Sequence, residues 1–391
     1  MNELWRQDDW RAGGFGLYIH WPFCAAKCPY CDFNSHVTDH IDQTAWRDAY
    51  LREIDRIAAL TDDRVLNTVF FGGGTPSLMD PDVVATLLER VKSSWRLSND
   101  LEITLEANPT SIEAGRFRAY SEGGVNRISM GMQALNDVDL RKLGRMHTVA
   151  EGRKAFDIAR SVFDRVSFDL IYARQNQDLA HWTAELNEAL SMAIDHLSLY
   201  QLTIEEGTVF GARAERGLLR GLPEDDAAAD MYLVTQDICE AAGLPAYEVS
   251  NYARPGAESR HNQIYWRYGD YAGIGPGAHG RLTLNHTRYA TDTLKQPGAW
   301  LKSLREKGHG EHTREPLPRD EQVIEFLLFG MRLAEGIDPE RFNALAGQPL
   351  STAAVNNLRE IGMLSEDTYR IRATREGRAV LNAVIRELMP D

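Results

Sequence analysis

Three cysteines are set closely as Cys24-Ala-Ala-Lys-Cys28-Pro-Tyr-Cys31, and the chain has one other, Cys239. Thiolates are the usual ligands of iron–sulfur clusters, which take one cysteine per iron. A short loop offering three thiolates leaves one iron without a protein ligand, and an open metal position can chelate a small molecule, as in catalytic zinc sites. Zinc is the alternative. It favours paired C-x₂-C units with a fourth Cys or His at a fixed offset, and His36 could complete a Cys₃His set, though at an unusual spacing. Three inert, buried cysteines fit poorly with their Pro and Lys neighbours.

Other residues suggest a ligand site near this loop. Gly72-Gly73-Gly74-Thr75 closes an apolar run, where backbone bare of side chains lets a ligand approach closely. Taken alone, such a triplet is equally a tight turn. Glu106, Gln133 and Asp169 end or nearly end three more apolar runs. A carboxylate or amide among apolar neighbours must be satisfied, and a structural hydrogen bond accounts for any one of them. Three converging on one rim indicate a site.

Bulk properties narrow the class. The 391 residues carry a net charge of −14 and are 43% apolar. That suffices for one large α/β domain with a smaller appendage. The acidic balance argues against a nucleic-acid partner. No apolar run has the length of a membrane span, and the polar residues 1–16 do not resemble a secretory signal. Cysteine clustering without an export signal points to metal chemistry in a reducing cytoplasm.

The elements that must position these groups alternate. Runs rich in β-branched and aromatic residues occupy 17–22 (LYIHWP), 68–72 (TVFFG), 101–108 (LEITLEAN), 127–133 (RISMGMQ), 165–172 (RVSFDLIY) and 196–203 (HLSLYQLT). Between them, helical spacing runs over 44–60, 82–94, 112–123, 149–162 and 178–194. Strand–helix alternation implies a parallel sheet with right-handed crossovers and functional residues at the strands' carboxyl ends. We expect a partial (β/α)₆ barrel over 17–243, preceded by a loosely held N-terminal arm, 1–16. A helix is predicted at 224–242, and a connecting region follows over 244–319, with a strand at 246–253 and a loop-like stretch to Gly280. The chain should end in a helical, winged-helix-like domain over 320–391, with a hairpin at 363–373.

The C-x₃-C-x₂-C spacing with an aromatic before the last cysteine resembles the signature of radical-SAM enzymes. The likeness extends to Leu17–Cys24, Gly72-Gly-Gly-Thr-Pro-Ser77, Glu106-Ala-Asn-Pro109, Asn126–Gln133, Leu143-Gly-Arg-Met-His147, Phe168-Asp-Leu170 and Tyr200-Gln-Leu-Thr203. Together these resemble the oxygen-independent coproporphyrinogen oxidase family over about residues 17–280. The resemblance implies a 4Fe–4S cluster on Cys24, Cys28 and Cys31 with S-adenosylmethionine on its open iron. It places Gly73, Gly74 and Thr75 at the methionine amino group, and Glu106, Gln133, Arg145 and Asp169 along the methionine and ribose. Tyr18 and Tyr30 approach the same cofactor, while Thr203 and Leu328 fall at more distant contacts. The implied chemistry is electron transfer from the reduced cluster to the sulfonium, giving methionine and a 5′-deoxyadenosyl radical.

Two features separate this chain from the oxidase itself. The oxidase has a fourth cysteine in a C-x-C arrangement after the triad, whereas Cys31-Asp-Phe33-Asn-Ser35 has Phe33 there. The oxidase also has a longer N-terminal segment. CDFNS and the motif His261-Asn262-Gln-Ile-Tyr265, followed by Trp266, resemble the haem-chaperone branch of the family. Imidazole and phenolate oxygen both ligate haem iron, so the resemblance implies haem at His261, Asn262 and Tyr265, with His279 a second candidate ligand. The expected function is a cytoplasmic haem chaperone passing haem to an acceptor protein, served by an electron donor such as a flavodoxin-type reductant. The alternative is anaerobic oxidative decarboxylation of coproporphyrinogen III. One departure stands out: Ala173-Arg-Gln-Asn-Gln177 replaces the family's usual Gly-Leu-Pro turn, which leaves that loop's shape open.

Overall fold

The computed structural model describes residues 8–390, so residues 1–7 of the expected N-terminal arm lie outside the described residues. Its strands are β1 (Phe15–Trp21), β2 (Phe23–Cys24), β3 (His36–Val37), β4 (Val65–Gly73), β5 (Arg96–Ala107), β6 (Arg127–Gln133), β7 (Arg165–Tyr172), β8 (His196–Gln201), β9 (Asn251–Ala253), β10 (Asp270–Ile274), β11 (His279–Leu284), β12 (Thr287–Thr293) and β13 (Glu311–Pro316). All but β2 and β3 form one sheet, ordered β13-β12-β11-β10-β1-β4-β5-β6-β7-β8-β9. The run β1-β4-β5-β6-β7-β8 is parallel and in chain order. This is the expected six-stranded α/β unit, with its helices packed on the sheet's outer face. The sheet does not close: β9 pairs antiparallel beyond β8, and β10 pairs parallel with β1 at the other side.

The strands are less uniformly apolar than their sequences suggest. Ile103, Leu105, Ile128, Met130, Val166 and Phe168 are buried in the main core. The register sets Glu106 beside Ser129, Ser129 beside Ser167, and Asp169 beside Ser198 on the opposite, inner face. Period-two alternation thus gives an apolar outside for the helices and a small, polar inside.

The connecting region differs from expectation. The loop-like stretch contains a helix, Arg260–Trp266, and β10, while only Asn251–Ala253 of the expected 246–253 strand forms. The helix enters at the amino end of the strands. Its first backbone amides, those of Arg260 and His261, donate to Glu102 Oε1 at 3.0 and 3.3 Å. A carboxylate at a helix N-terminus satisfies orphan donors and the macrodipole together. Seated there, the helix covers the floor of the partial barrel.

The C-terminal helices Arg319–Gly330, Pro339–Ala346, Thr352–Glu360, Arg375–Ala379 and Leu381–Leu388 enclose a separate core around Phe326, Leu327, Phe342 and Ile385. The expected hairpin at 363–373 is reduced to isolated bridges, Leu364 with Ala373 and Ile371 with Ile337. The described part of the N-terminal arm is held rather than loose. Trp10 is buried, Arg64 stacks on its ring at 4.1 Å, and Asp9 pairs with Arg341 at 2.6 Å. Arg341 also donates to the carbonyls of Arg267 and Tyr268, joining the arm, the connecting region and the C-terminal domain.

Candidate functional site

The cysteine loop leaves β1 through the short β2, which pairs with β3 so that Phe23 faces His36 and Cys24 faces Val37. It is clipped to the glycine turn after β4: Gly74 N–H donates to Trp21 O at 2.7 Å and Thr75 N–H to Phe23 O at 2.8 Å. A Cβ on Gly74 would stand 2.6 Å from the Phe23 carbonyl oxygen, so only glycine allows this approach. The three thiols are half-buried around a cavity of about 150 Å³. Thr75 Oγ1 donates to Cys24 Sγ at 3.5 Å and Arg145 Nη1 to Cys28 Sγ at 3.3 Å. Among the described residues no three His, Cys, Asp or Glu side chains close on a point fit for a single metal ion, so the Cys₃His zinc arrangement does not form.

The same cavity is lined by Tyr30, Gly73, Gly74, Thr75, Glu106, Gln133, Arg145 and Asp169. Burial, then the charge of Asp169, raises the Glu106 carboxyl to about 8, against the Gly73 N–H that favours its anion. Burial raises Asp169 to about 6, opposed by the hydroxyls of Ser198 and Ser129. Two carboxyls held this high lack enough positive charge, and a ligand bringing its own cation relieves both. Arg145 is fixed by Asn108 Oδ1 at 2.5 Å and Gly131 O at 2.9 Å, and its Nε is buried with no partner. Gln133 has φ of 68°, a left-handed backbone rare for a residue with a side chain. Asn108 and Ser129 also line the cavity and were missed as individual residues. Asn108 sits inside the EANP stretch, which was the available signal.

Tyr18 is not in this cavity. It lines a second one, of about 720 Å³, that shares Lys27, Phe33, Ser35, Gly73 and Glu106 with the first. His20, His36, Tyr265, Trp266, His279 and Phe329 are further parts of its wall. Thr203 and Leu328 line neither cavity and are exposed, although Phe329 beside Leu328 does reach the larger one.

The histidine motif lies on the Arg260–Trp266 helix, capped by Ser259. His261 is only 1% exposed and lines neither cavity. Its Nδ1 bonds Thr68 Oγ1 at 2.6 Å and its Nε2 bonds Tyr265 Oη at 2.5 Å, while its ring stacks on Phe70. Burial holds His261 down to about 3, so it is neutral. Asn262 lines neither cavity. The motif as built is the barrel's floor, with Tyr265 and Trp266 as its cavity-facing members. The Ala173–Gln177 segment forms an ordered turn: Ala173 and Asn176 take φ of 58° and 61°, and buried Arg174 binds Glu185 at 2.6 Å and Ile171 O.

A match to the radical SAM superfamily spans residues 18–184, and one to the HemN C-terminal domain spans residues 317–380. The mitochondrial radical S-adenosyl methionine domain-containing protein 1 of Bos taurus is 38% identical over 384 residues, covering 95% of this chain and 87% of its own. Heme chaperone HemW of Escherichia coli is 36% identical over 374 residues, covering 94% and 96%. Among solved structures, the coproporphyrinogen III oxidase HemN of Escherichia coli, a radical SAM enzyme, superposes with a TM-score of 0.79 at 21% identity, over 97% of this chain and 92% of that one. At that identity the superposition speaks for the fold alone. These matches, on a chain with an in-order parallel sheet and three thiols at its carboxyl rim, make it a radical SAM protein. Within that class, the chain belongs to the HemW family. The cavity's chemistry fits the group this class implies: three thiols, an unpartnered buried guanidinium nitrogen, a glycine cradle and two carboxyls in want of a cation. No helix among the described residues is long and apolar enough to cross a membrane.

Proposed function

We propose that this protein is a cytoplasmic haem chaperone that binds haem in the larger cavity and passes it to an acceptor protein, while Cys24, Cys28 and Cys31 hold a 4Fe–4S cluster with exchangeable S-adenosylmethionine. The observation that carries this is the pair of adjoining cavities, one rimmed by thiols and carboxyls, the other walled by aromatics. Its volume falls in the roughly 300–1,000 Å³ range of small-molecule sites. Trp266, Tyr271, Phe329 and Phe33 offer apolar faces to a flat macrocycle, and Lys27 and Lys295 offer cations to its carboxylates.

In the smaller cavity, Glu106 and Asp169 receive the ligand's positive charge. Thr75 and Arg145 steady the thiolates, and Tyr30 excludes water from one side. The cluster, when bound, supplies one-electron chemistry, with electrons from a flavodoxin-type donor. The names of the HemW relatives support haem as cargo. Phe33 in place of the oxidase's fourth cysteine favours carriage over decarboxylation. The test is anaerobic reconstitution followed by haem titration. Saturable uptake of one equivalent, with transfer to an apo-haemoprotein, is expected. A protein that carries its cluster yet takes up no haem refutes the reading.

A further inference from the structure

A haem iron in the larger cavity needs a donor, and the imidazoles and phenols around it differ in what they have left to give. His20 has both ring nitrogens engaged, Nδ1 with Tyr18 Oη at 3.1 Å and Nε2 with Asn34 O at 2.9 Å. His261, the histidine of the motif, is off the wall and bonded at both nitrogens. His36 lines the cavity, but its Nε2 is buried with no partner and out of a ligand's reach. Iron on its Nδ1 would leave the ring's proton on that sealed Nε2, a buried donor with no acceptor. The phenols of Tyr18, Tyr265 and Tyr271 are held in the protonated form, chiefly by burial. His279 is the remaining imidazole. It is exposed on the cavity wall, its ring has no hydrogen-bond partner among the described residues, and neither of its nitrogens is sealed off. Burial, with Arg281 and Lys295 nearby, holds it below the ordinary histidine value against the pull of Asp292, so at pH 7 the ring is neutral with a free lone pair.

The fold also fixes where His279 stands. It opens β11 after the segment Gly275–Ala278, which is clipped from two sides. Asn34 Nδ2, from the cysteine loop, donates to Pro276 O and to Lys295 O, each at 2.9 Å. Ala278 N–H donates to Thr293 Oγ1 at 2.9 Å, and Thr293 N–H to Ala278 O at 3.0 Å. Gly277 takes φ of 78°, and a Cβ there would strike the Asn34 amide. Across the ladder His279 faces Asp292, whose Oδ1 accepts from Thr313 N–H at 3.0 Å. Directly opposite residues of an antiparallel pair share a face of the sheet, so a fixed carboxylate stands beside the imidazole. Resting on haem as the cargo, we infer that His279, and not the motif's His261, is the axial ligand to the haem iron in the larger cavity. The bond formed joins iron to one ring nitrogen through the imidazole lone pair. The proton stays on the other nitrogen, with the Asp292 carboxylate as its neighbouring acceptor, and nothing is oxidised or reduced. Lys27 and Lys295 are the cations for the macrocycle's carboxylates. Asn34 thereby gives the CDFNS stretch a task in the larger cavity: it holds the backbone of the ligand's segment and of Lys295. His261 acts through another residue, positioning Tyr265 on the barrel floor.

The test uses full-length, anaerobically reconstituted protein with its cluster oxidised and silent in electron paramagnetic resonance, so that ferric haem is read alone. Wild type, His279→Ala, His36→Ala and His261→Gln are each titrated with haem. Iron content before the titration reports whether the cluster is retained. The expected result is a histidine-ligated signal in wild type that His279→Ala loses, with affinity weakened roughly tenfold to a hundredfold, and that added imidazole restores. His36→Ala and His261→Gln keep the signal. A His279→Ala protein with the wild-type signal, or one that imidazole does not restore, overturns the assignment. So does loss of the signal in His36→Ala or His261→Gln. Wild-type protein that takes up no haem overturns the haem reading itself, a separate outcome from the ligand assignment.

Discussion

Glu106→Gln separates the cost of the cationic-ligand site from its use. Burial and the charge of Asp169 raise the Glu106 carboxyl to about 8 in the fold, from the ordinary 4.5 of an exposed glutamate. Because the folded value is raised, this group's contribution to stability is full below pH 4.5 and is lost as pH rises towards 8. At pH 7 the fold must keep a proton that the unfolded chain has released. Over about 2.5 pH units, at about 1.36 kcal/mol each, the penalty is about 3.4 kcal/mol. Glu106 borders a cavity and shares its field with Asp169, so about 1–3 kcal/mol is the useful range. Glutamine keeps the shape and can still accept from Gly73 N–H, but never ionises. The ligand-free variant should therefore melt higher at pH 7, by about 2–6 °C at roughly 2 °C per kcal/mol for a chain of this size. Its melting temperature should also depend less on pH between 5 and 8. The same change should weaken S-adenosylmethionine, which in wild type should bind more tightly as pH rises through about 8 and Glu106 becomes an anion. Scanning calorimetry and isothermal titration on cluster-loaded protein read both. A variant that melts lower without ligand, or binds S-adenosylmethionine as wild type does, refutes the argument.

Two further outcomes follow from close approaches and from the interdomain tie. Gly74→Ala places a Cβ 2.6 Å from Phe23 O and should push the cysteine loop off the glycine turn. We expect iron content and S-adenosylmethionine affinity to fall, by roughly 1–3 kcal/mol in binding as for overpacked sites, with the circular dichroism of the sheet unchanged; wild-type values would contradict the clip described above. Arg341→Ala removes the Asp9 carboxylate pair, three carbonyl hydrogen bonds and the stacking on Phe326. It should cost about 2–4 kcal/mol and make the bond after residue 8 an early site of proteolysis, and an unchanged melting curve would show that the tie contributes nothing.

The parts legible in sequence are those with local causes. β6 and β7 begin and end where their apolar runs do, and the helix Val149–Val162 is announced by a Thr148–Glu151 capping box. The cysteine loop and glycine turn were readable because their chemistry lies in adjacent residues. The helix Arg260–Trp266 was not, since seven residues rich in polar and aromatic types carry no helical period. Its cause is 158 residues away in sequence, in Glu102 accepting from its first amides. The same distance governs where His261 falls, against Thr68 and Tyr265 and off both cavity walls. A motif states which side chains matter, and only the docking of that helix decides which of them meet a cavity. Which cavity Tyr18 meets was hidden for a related reason: its neighbours in β1 identify a strand, but the partition of the rim into two cavities depends on the loop that returns through His36.

Position 33 joins these observations. In sequence it was noted for the cysteine it lacks. In the fold it is 58% exposed and lines both cavities, so whatever stands there faces the cluster ligand on one side and the larger pocket on the other. A thiol at that point could give up a hydrogen atom or proton to either. A phenyl ring has neither to give, and adds apolar surface to the wall of the larger pocket. The substitution therefore removes a reactive group from the passage between the cavities and adds to the binding surface beyond it. On the proposed function, that direction of change favours carrying a macrocycle over transforming one.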